Sequence, residues 1–438
     1  MSIESTPTTR IPAAPSTAPT PATLGARSVA TSLGVGVVAA LVLVLVVFPG
    51  GREHAVTGSV LIGFGLGWAL LAGRLARVGR PRRWAEVPAV AMAAAGLALV
   101  VLAPGYAALG VLSWLWPPVV VALAAWMFAQ VRRTVTGRGR WLLLPVIVAL
   151  GLSAVGALAE DVARVTDPSP SAAPGTTYLV NGHRLHLDCH GTGAPTVVLH
   201  NGLAETAASW SRIMDQVSTG ARVCAYDRAG QGWSEAAAGD PQDGRETAAD
   251  LHSLLARAGE SGPFVMVGHS TGGTYAMTYA AQYPGQVAGL VLLDSSSPEQ
   301  LTTIPSFAGQ YAVTRRGIAL LPTAARLGLA RVFGASTRSL TNVRDEQSVL
   351  PEVFAQAQDL TTLGGRPLAV VTASENLATD GWEAAQRRLA LLSSDVVHTT
   401  STSSHAGLLE DDAPAADSAS AITGVLRAVR TGSPLASR

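Results

Sequence analysis

Apolar and polar positions divide the chain into two parts with different periodicity. Up to Ala159 the sequence contains long uncharged runs, whereas after Thr177 short apolar segments alternate with segments of helical periodicity. Each of the five uncharged runs has the length that a helix needs to cross a bilayer. The pattern predicts a membrane domain over residues 27–160. Its five transmembrane helices are predicted at roughly residues 28–48, 55–73, 87–103, 108–130 and 141–159.

The positions of the arginines predict the orientation of these helices. The connections after the second and the fourth helix are rich in arginine, whereas the connection at residues 104–106 has none. The positive-inside rule puts the arginine-rich connections in the cytoplasm. With five spans, everything after Ala159 is then extracytoplasmic. The arginines are Arg74, Arg77, Arg80, Arg82 and Arg83 after the second helix, and Arg132, Arg133, Arg138 and Arg140 after the fourth.

Two flanking segments lack the apolar residues that a core requires. Residues 1–26 are rich in Ser, Thr, Pro and Ala, which predicts a disordered tail. Residues 161–176 contain Pro168, Pro170 and Pro174 and are interpreted as a linker.

No Asp, Glu, Lys or Arg lies within a predicted span, so the bundle is interpreted as an anchor in the lipid bilayer and not as an ion pathway.

Residues 177–438 have the pattern of an α/β domain. Two apolar segments flank Asn181-Gly182, a dipeptide typical of a two-residue hairpin turn. Six further strand-like segments alternate with helical ones, which predicts a mostly parallel eight-stranded sheet with helices on both faces. The eight strands are predicted at residues 177–180, 183–189, 195–200, 221–226, 264–268, 289–294, 367–372 and 395–400.

The long interval between Asp294 and Pro367 has no strand-like segment. A structureless loop of that length is improbable in a compact domain. Residues 322–333 and 351–360 look helical, and each begins with a proline suited to the first helical position. We therefore predict a helical cap at about residues 295–366. Its Ile, Leu and Ala content indicates a moderately apolar substrate group.

Composition narrows the function classes. The chain has 31 Lys and Arg against 30 Asp and Glu, so its net charge of +1 gives no indication of nucleic-acid binding. The two cysteines are too few for a disulfide scaffold and too far apart for a zinc-binding spacing.

A candidate nucleophile lies where one apolar strand meets a helix. The strand ends in Gly268-His269-Ser270-Thr271-Gly272, and a helical segment follows. A G-x-S-x-G turn between strand and helix holds its serine in a strained conformation above the sheet. The free N–H groups of the helix N-terminus stabilise developing negative charge there. The pattern indicates a nucleophilic serine.

Four motifs in the second part resemble the α/β-hydrolase fold, in particular serine hydrolases of the esterase and lipase type. The resemblance covers residues 177 to about 430. One motif, at residues 200–203, looks like the oxyanion loop but departs from the common His-Gly by the insertion of Asn201. The motifs are Gly268-His269-Ser270-Thr271-Gly272, His200-Asn201-Gly202-Leu203, Asp227-Arg228-Ala229-Gly230-Gln231-Gly232-Trp233-Ser234 and Ser404-His405-Ala406.

The resemblance implies hydrolysis of an ester or related acyl bond in a small-molecule or lipid-like substrate. It implies a catalytic triad in the order serine, acid, histidine, without a cofactor or metal. The backbone N–H groups of Thr271 and Leu203 would form the oxyanion hole. His200 is expected to order its loop, and His269 is expected to serve packing.

The base and the acid are chosen from the residues after Ser270. Only two histidines follow it; His398 lies within a predicted strand and His405 in the loop after a strand, so we predict His405 as the base. The acid must lie at the carboxyl end of a nearby strand. Asp294 is the first candidate, and Glu375 and Asp380 remain as alternatives.

Two further hypotheses stay open. Cys189 and Cys224 fall in strands that are neighbours in the family's sheet, so an extracytoplasmic domain could join them in a disulfide. Two buried free thiols are the alternative. As a function, a non-catalytic binding module on a membrane anchor competes with the hydrolase; a transporter with an accessory domain is disfavoured by the uncharged spans.

Overall fold

The computed structural model describes residues 22–23, 25–77, 79, 82–166, 173–239, 241–327, 329 and 336–435. Nearly all of the predicted tail and the middle of the predicted linker therefore lie outside the described residues. The described chain forms an N-terminal group of long helices and a C-terminal domain built on one large sheet.

Five helices occupy the five uncharged runs, and all are long and apolar enough to cross a membrane by length and composition. We refer to them as the apolar bundle. The last of them continues to Thr166, so the beginning of the predicted linker is helical. The helices are α1 (Ala26–Val42, continued by a π-helical turn at Leu43–Val47), α2 (Glu53–Arg77), α3 (Arg83–Leu102), α4 (Tyr106–Thr134) and α5 (Arg138–Thr166).

The C-terminal domain contains the predicted sheet of eight strands. In order across the sheet they are β8-β7-β6-β5-β3-β4-β2-β1. β2 is antiparallel to both of its neighbours, and the other adjacent pairs are parallel. The strands are β1 (Thr176–Val180), β2 (His183–His190), β3 (Val197–His200), β4 (Val223–Tyr226), β5 (Phe264–His269), β6 (Val287–Leu293), β7 (Leu368–Ala373) and β8 (Val396–Ser401).

Helices cover both faces of this sheet. Because successive side chains of a strand point to opposite faces, β5 directs Phe264 and Met266 into one core and Val265 and Val267 into the other. α7, α8 and α13 pack on the first face, and α6, α14 and α15 pack on the second. These helices are α6 (Ser211–Val217), α7 (Gly244–Arg257), α8 (Gly272–Gln282), α13 (Trp382–Ala390), α14 (Gly407–Glu410) and α15 (Asp412–Thr431).

The interval between β6 and β7 is helical. It contains α9 (Gln300–Thr303), α10 (Phe307–Ile318), α11 (Leu321–Arg326) and α12 (Thr337–Ala357), which we call the cap. The helix predicted over residues 322–333 is observed as α11, which ends at Arg326; residues 328 and 330–335 lie outside the described part.

The prediction that a helix begins at Pro351 is wrong. α12 already begins at Thr337, where the Ser336 side chain accepts a hydrogen bond from Ser339 N at 3.0 Å and caps the helix. Pro351 lies inside the helix and has no N–H to donate to Gln347 O. The Tyr311 hydroxyl donates to that carbonyl instead, at 2.9 Å, so the neighbouring cap helix replaces the missing bond.

The cap packs on one end of the apolar bundle. That end comprises the α1–α2 connection, the start of α4 and the end of α5. The arginine-rich connections, α2–α3 and α4–α5, lie at the opposite ends of the same helices. Ala319 also packs with Val44 and Val56 in a small apolar cluster. The polar contacts are Thr323 with Thr57 (3.0 Å), Arg316 with Leu45 O (3.1 Å), Arg326 with Glu53, Thr337 with Glu160 (3.1 Å) and Asp345 with Tyr106 (2.5 Å).

Cys189 and Cys224 form a disulfide. They face each other across the antiparallel pair β2 and β4, with their Cα atoms 4.1 Å apart. The structure therefore agrees with the disulfide hypothesis and not with two free thiols.

Candidate active site

The elbow at Ser270 has the geometry that its sequence predicts. Ser270 directly follows β5 and has a φ of +55°, a left-handed conformation that costs a non-glycine residue on the order of 1–2 kcal/mol. Neighbouring backbone crowds the turn: a Cβ on Gly268 would lie 2.4 Å from Gly273 N, and one on Gly272 would lie 2.1 Å from His200 O. Only glycine fits at these two positions.

Asp294 directly follows β6, the neighbour of β5 in the sheet, and is fully buried. It too has a positive φ, of +41°. Its Oδ1 accepts hydrogen bonds from Trp382 Nε1 at 2.9 Å and Ala373 N at 3.2 Å, and its Oδ2 accepts one from Asn376 Nδ2 at 2.5 Å. These three donors fix the orientation of the buried carboxylate.

His405 contacts this carboxylate. Its Nδ1 lies 2.6 Å from Asp294 Oδ2. When Nδ1–H donates to the carboxylate, Nε2 carries the free lone pair and can accept a proton. The His405 ring centroid is 4.5 Å from that of His269, the residue before Ser270. The structure thus brings acid, histidine and elbow together, although no hydrogen bond joins Ser270 Oγ and His405 among the described residues.

The alternative acids and the second histidine do not contact the His405 ring in this way. The Glu375 carboxylate accepts a hydrogen bond from the backbone N–H of His405 at 3.2 Å, and Asp380 is exposed. His398 lies within β8 and bonds Thr372 Oγ1 through Nε2 at 2.8 Å, as expected for a strand histidine with a satisfied ring nitrogen. Of the three carboxylates considered, Asp294 has the geometry of the triad acid.

Two backbone amides face no competing acceptor. Leu203 lies in the loop after β3, and Thr271 begins the turn into α8. Neither N–H donates a hydrogen bond to another residue in the part of the chain that the structure describes. Each of these N–H groups is therefore available to donate to an oxygen that carries negative charge.

Sequence reasoning missed the pairing of His269 with Glu205. His269 Nδ1 lies 2.5 Å from Glu205 Oε1, and its Nε2 lies 3.0 Å from His405 O. Burial alone would lower the pKa of His269, but its hydrogen bond and attraction to Glu205 raise it. Burial alone would raise the pKa of Glu205, but the hydrogen bond and attraction to His269, together with the hydrogen bond from Gly202 N, lower it. Glu205 also accepts from Gly202 N at 2.5 Å, so the pair ties the oxyanion loop to the His405 loop.

The expectation that His200 orders its own loop is wrong. Its ring contacts the adjacent strands instead, through Tyr226 OH at 3.1 Å and Met266 Sδ at 3.5 Å. Burial lowers its pKa to about 3, so it is neutral. Asn201 holds the loop: its side chain donates to Tyr226 O at 2.8 Å and accepts from Trp210 Nε1 at 2.8 Å.

One group of potential metal ligands occurs among the described residues, formed by Cys189, Cys224 and Glu260. Its two sulfur atoms are joined in the disulfide and cannot act as thiolate ligands. This group therefore offers no metal site.

Comparisons with known proteins indicate the same fold. Residues 195–357 match the family model described as alpha/beta hydrolase fold. An uncharacterized protein of Schizosaccharomyces pombe is 30% identical over 194 residues, which cover 37% of this chain and 35% of that protein. The lipase LipV of Mycobacterium tuberculosis is 40% identical over 111 residues, which cover 25% of this chain and 41% of the lipase. The chain thus spans less than half of the length of these relatives.

Among solved structures, the enol-lactonase of Burkholderia xenovorans aligns with a TM-score of 0.42 and 22% identity, covering 57% of this chain and all of that one. The family match, the strand order and the elbow between β5 and α8 lead to one conclusion. The C-terminal domain of this chain has the α/β-hydrolase fold, and a group of five apolar helices precedes it.

Proposed function

We propose that the chain is a membrane-anchored serine hydrolase that cleaves an ester or related acyl bond. The observation that carries the proposal is the hydrogen bond between His405 Nδ1 and the buried Asp294 carboxylate, formed beside an elbow that holds Ser270 in a left-handed conformation. A buried acid, an imidazole and a strained serine are the parts that nucleophilic catalysis requires. The relative named lipase supports the same class of substrate.

In the proposed reaction, Ser270 Oγ attacks the carbonyl carbon while His405 Nε2 takes the serine proton. The amides of Thr271 and Leu203 stabilise the resulting oxyanion. Collapse of the tetrahedral intermediate breaks the bond to the leaving group, which receives the proton from His405. Water then attacks the acyl-enzyme, again with His405 as base, and releases the acid and free Ser270. Asp294 keeps the imidazole oriented and stabilises its charged form.

The position of the cap supports a lipid-like substrate. The cap, which connects β6 to β7, contacts the end of the apolar bundle, so its helices would lie at the bilayer surface. An amphiphilic ester in the outer leaflet could then reach the cap without crossing bulk water.

The test is hydrolysis by the full-length protein in lipid nanodiscs. With p-nitrophenyl esters from acetate to palmitate, we expect saturable turnover that is faster for medium-length chains than for acetate, and mass spectrometry should find the acyl group on the Ser270 peptide. The Ser270→Ala protein, prepared identically, is the control. Folded wild-type protein that hydrolyses none of the esters and gains no acyl group would favour the binding-module alternative.

The disulfide supports the extracytoplasmic orientation, because disulfides persist in oxidising compartments. Protein from intact membranes, denatured without reductant, should expose no thiol to a maleimide mass tag, and two thiols after reduction. Cys189→Ala should expose one thiol without reduction and lose about 2–4 kcal/mol of stability. Two tagged thiols in unreduced wild-type protein would contradict the orientation.

A further inference from the structure

The carbonyl groups of the oxyanion loop are held by one buried arginine. Arg228, from the turn after β4, donates from Nη1 to Asn201 O at 2.5 Å and from Nη2 to Gly202 O at 3.1 Å. The carbonyl of Gly202 and the N–H of Leu203 belong to the same planar peptide unit and point in opposite directions. By fixing Gly202 O, Arg228 therefore determines where the Leu203 N–H points.

The arginine is itself fixed by the cap. Glu346 of α12 accepts hydrogen bonds through Oε1 from Arg228 Nε at 3.2 Å and Nη2 at 3.0 Å. The ring of Tyr275, a residue of α8, has its centroid 4.2 Å from the guanidinium carbon of Arg228. Gln231 Nε2 donates to the same Glu346 oxygen at 2.6 Å. One Glu346 oxygen accepts from both Arg228 and Gln231, so this cap residue helps to orient the guanidinium.

The apolar bundle holds the part of α12 that carries this glutamate. The residues directly before Glu346 contact Tyr106 in the first turn of α4. The Tyr106 hydroxyl donates to Asp345 Oδ2 at 2.5 Å, and Arg344 donates to the same hydroxyl. Tyr106 of the bundle is thus connected to the peptide unit of Leu203 by hydrogen bonds at both ends and, between them, by the α12 backbone from Asp345 to Glu346.

We propose that Arg228 and Glu346 are positioning residues for the oxyanion hole, and that the apolar bundle supports catalysis by holding Glu346 through Tyr106. The inference rests on the proposed function, since it assigns a role within that reaction. The bundle is then a structural part of the active site as well as an anchor. The oxyanion forms only in the transition state. Loosening the contact between bundle and cap therefore weakens the stabilisation of the transition state more than the binding of the ground-state ester.

The test compares Glu346→Gln with the wild type in nanodiscs. The amide keeps the shape but removes the charge that orients the guanidinium. Losing a complete oxyanion donor costs about 10²–10³ in kcat, so a misdirected donor should lower kcat by roughly 10–100-fold with little change in KM. Binding of a trifluoromethyl ketone, which forms an oxyanion adduct, should weaken by a similar factor. Asp359→Asn is the matched control, because it breaks an exposed ion pair with Arg245 near the other end of α12 and should leave kcat unchanged.

Tyr106→Phe provides a second variant that removes only a hydroxyl. We expect a several-fold lower kcat, and a double variant with Glu346→Gln whose loss is smaller than the product of the two single losses, because both act through the same contacts. If the wild type hydrolyses the ester and Glu346→Gln has the same kcat and inhibitor affinity, this inference alone is overturned. A folded wild type without turnover would overturn the proposed function and this inference with it.

Discussion

Replacing Ser270 with alanine is expected to lower kcat for ester hydrolysis on the order of 10⁴- to 10⁶-fold, because no other group at the elbow can form the acyl-enzyme. The same change should abolish labelling of the full-length protein by a fluorophosphonate probe, which reacts with an activated serine and loses fluoride. The experiment examines the hydroxyl of Ser270, the residue whose backbone has a φ of +55°. Labelling is measured by in-gel fluorescence on membranes, and turnover on the purified protein.

Ser218→Ala is the matched control for this experiment. Ser218 is a half-buried serine of the same domain whose hydroxyl donates to Asp215 O in the last turn of α6. Its loss should change neither labelling nor kcat. Undiminished labelling of Ser270→Ala would place the reactive nucleophile elsewhere, and an unlabelled but folded wild type would support a non-catalytic binding module.

Asp294→Asn should cause the second-largest loss, of about 10⁴-fold in kcat, with a much smaller change in KM. An amide at this position can hold His405 in the wrong tautomer and cannot stabilise the imidazolium that forms during the reaction. Asp294 also accepts hydrogen bonds from Trp382 and Asn376, so part of the protein's stability is expected to be lost. Thermal unfolding of the variant, with the disulfide intact, separates the loss of folded protein from the loss of turnover.

The alternative acids provide the comparison for this prediction. Glu375→Gln and Asp380→Asn should each retain kcat within a few-fold of the wild type, since neither side chain bonds the His405 ring in the structure. A larger loss for either of them than for Asp294→Asn would show that the triad acid has been assigned to the wrong strand end.

The sequence could not choose between these acids for a geometric reason. β6 and β7 are adjacent and parallel, so residues that follow both strands meet at the same edge of the sheet. The local strand pattern is enough to predict that all three carboxylates lie near that edge. Whether a given carboxylate reaches the His405 ring, 111 positions further along the chain than Asp294, depends on strand register and loop shape, which the pattern does not contain.

The cap shows the same limit. Its helical character followed from composition and the length of the interval, but the start of α12 was misjudged because Pro351 resembles a helix-initiating residue. Its tolerance inside the helix depends on Tyr311, a residue from another helix, which supplies the missing hydrogen bond. A propensity rule applied to one segment cannot include the bond from Tyr311 to Gln347 O, which joins residues 36 positions apart.

By itself the sequence determined the five apolar helices, the strand pattern and the elbow at Ser270, because hydrophobic length, alternation and glycine placement are local signals. Tertiary structure alone decided which partners meet: Asp294 with His405, Glu205 with His269, and Arg228 with Glu346. The physical reason is that a buried polar group must find its partner wherever packing brings one close. In this protein those partners come from distant segments that only the assembled sheet and the docked cap bring together.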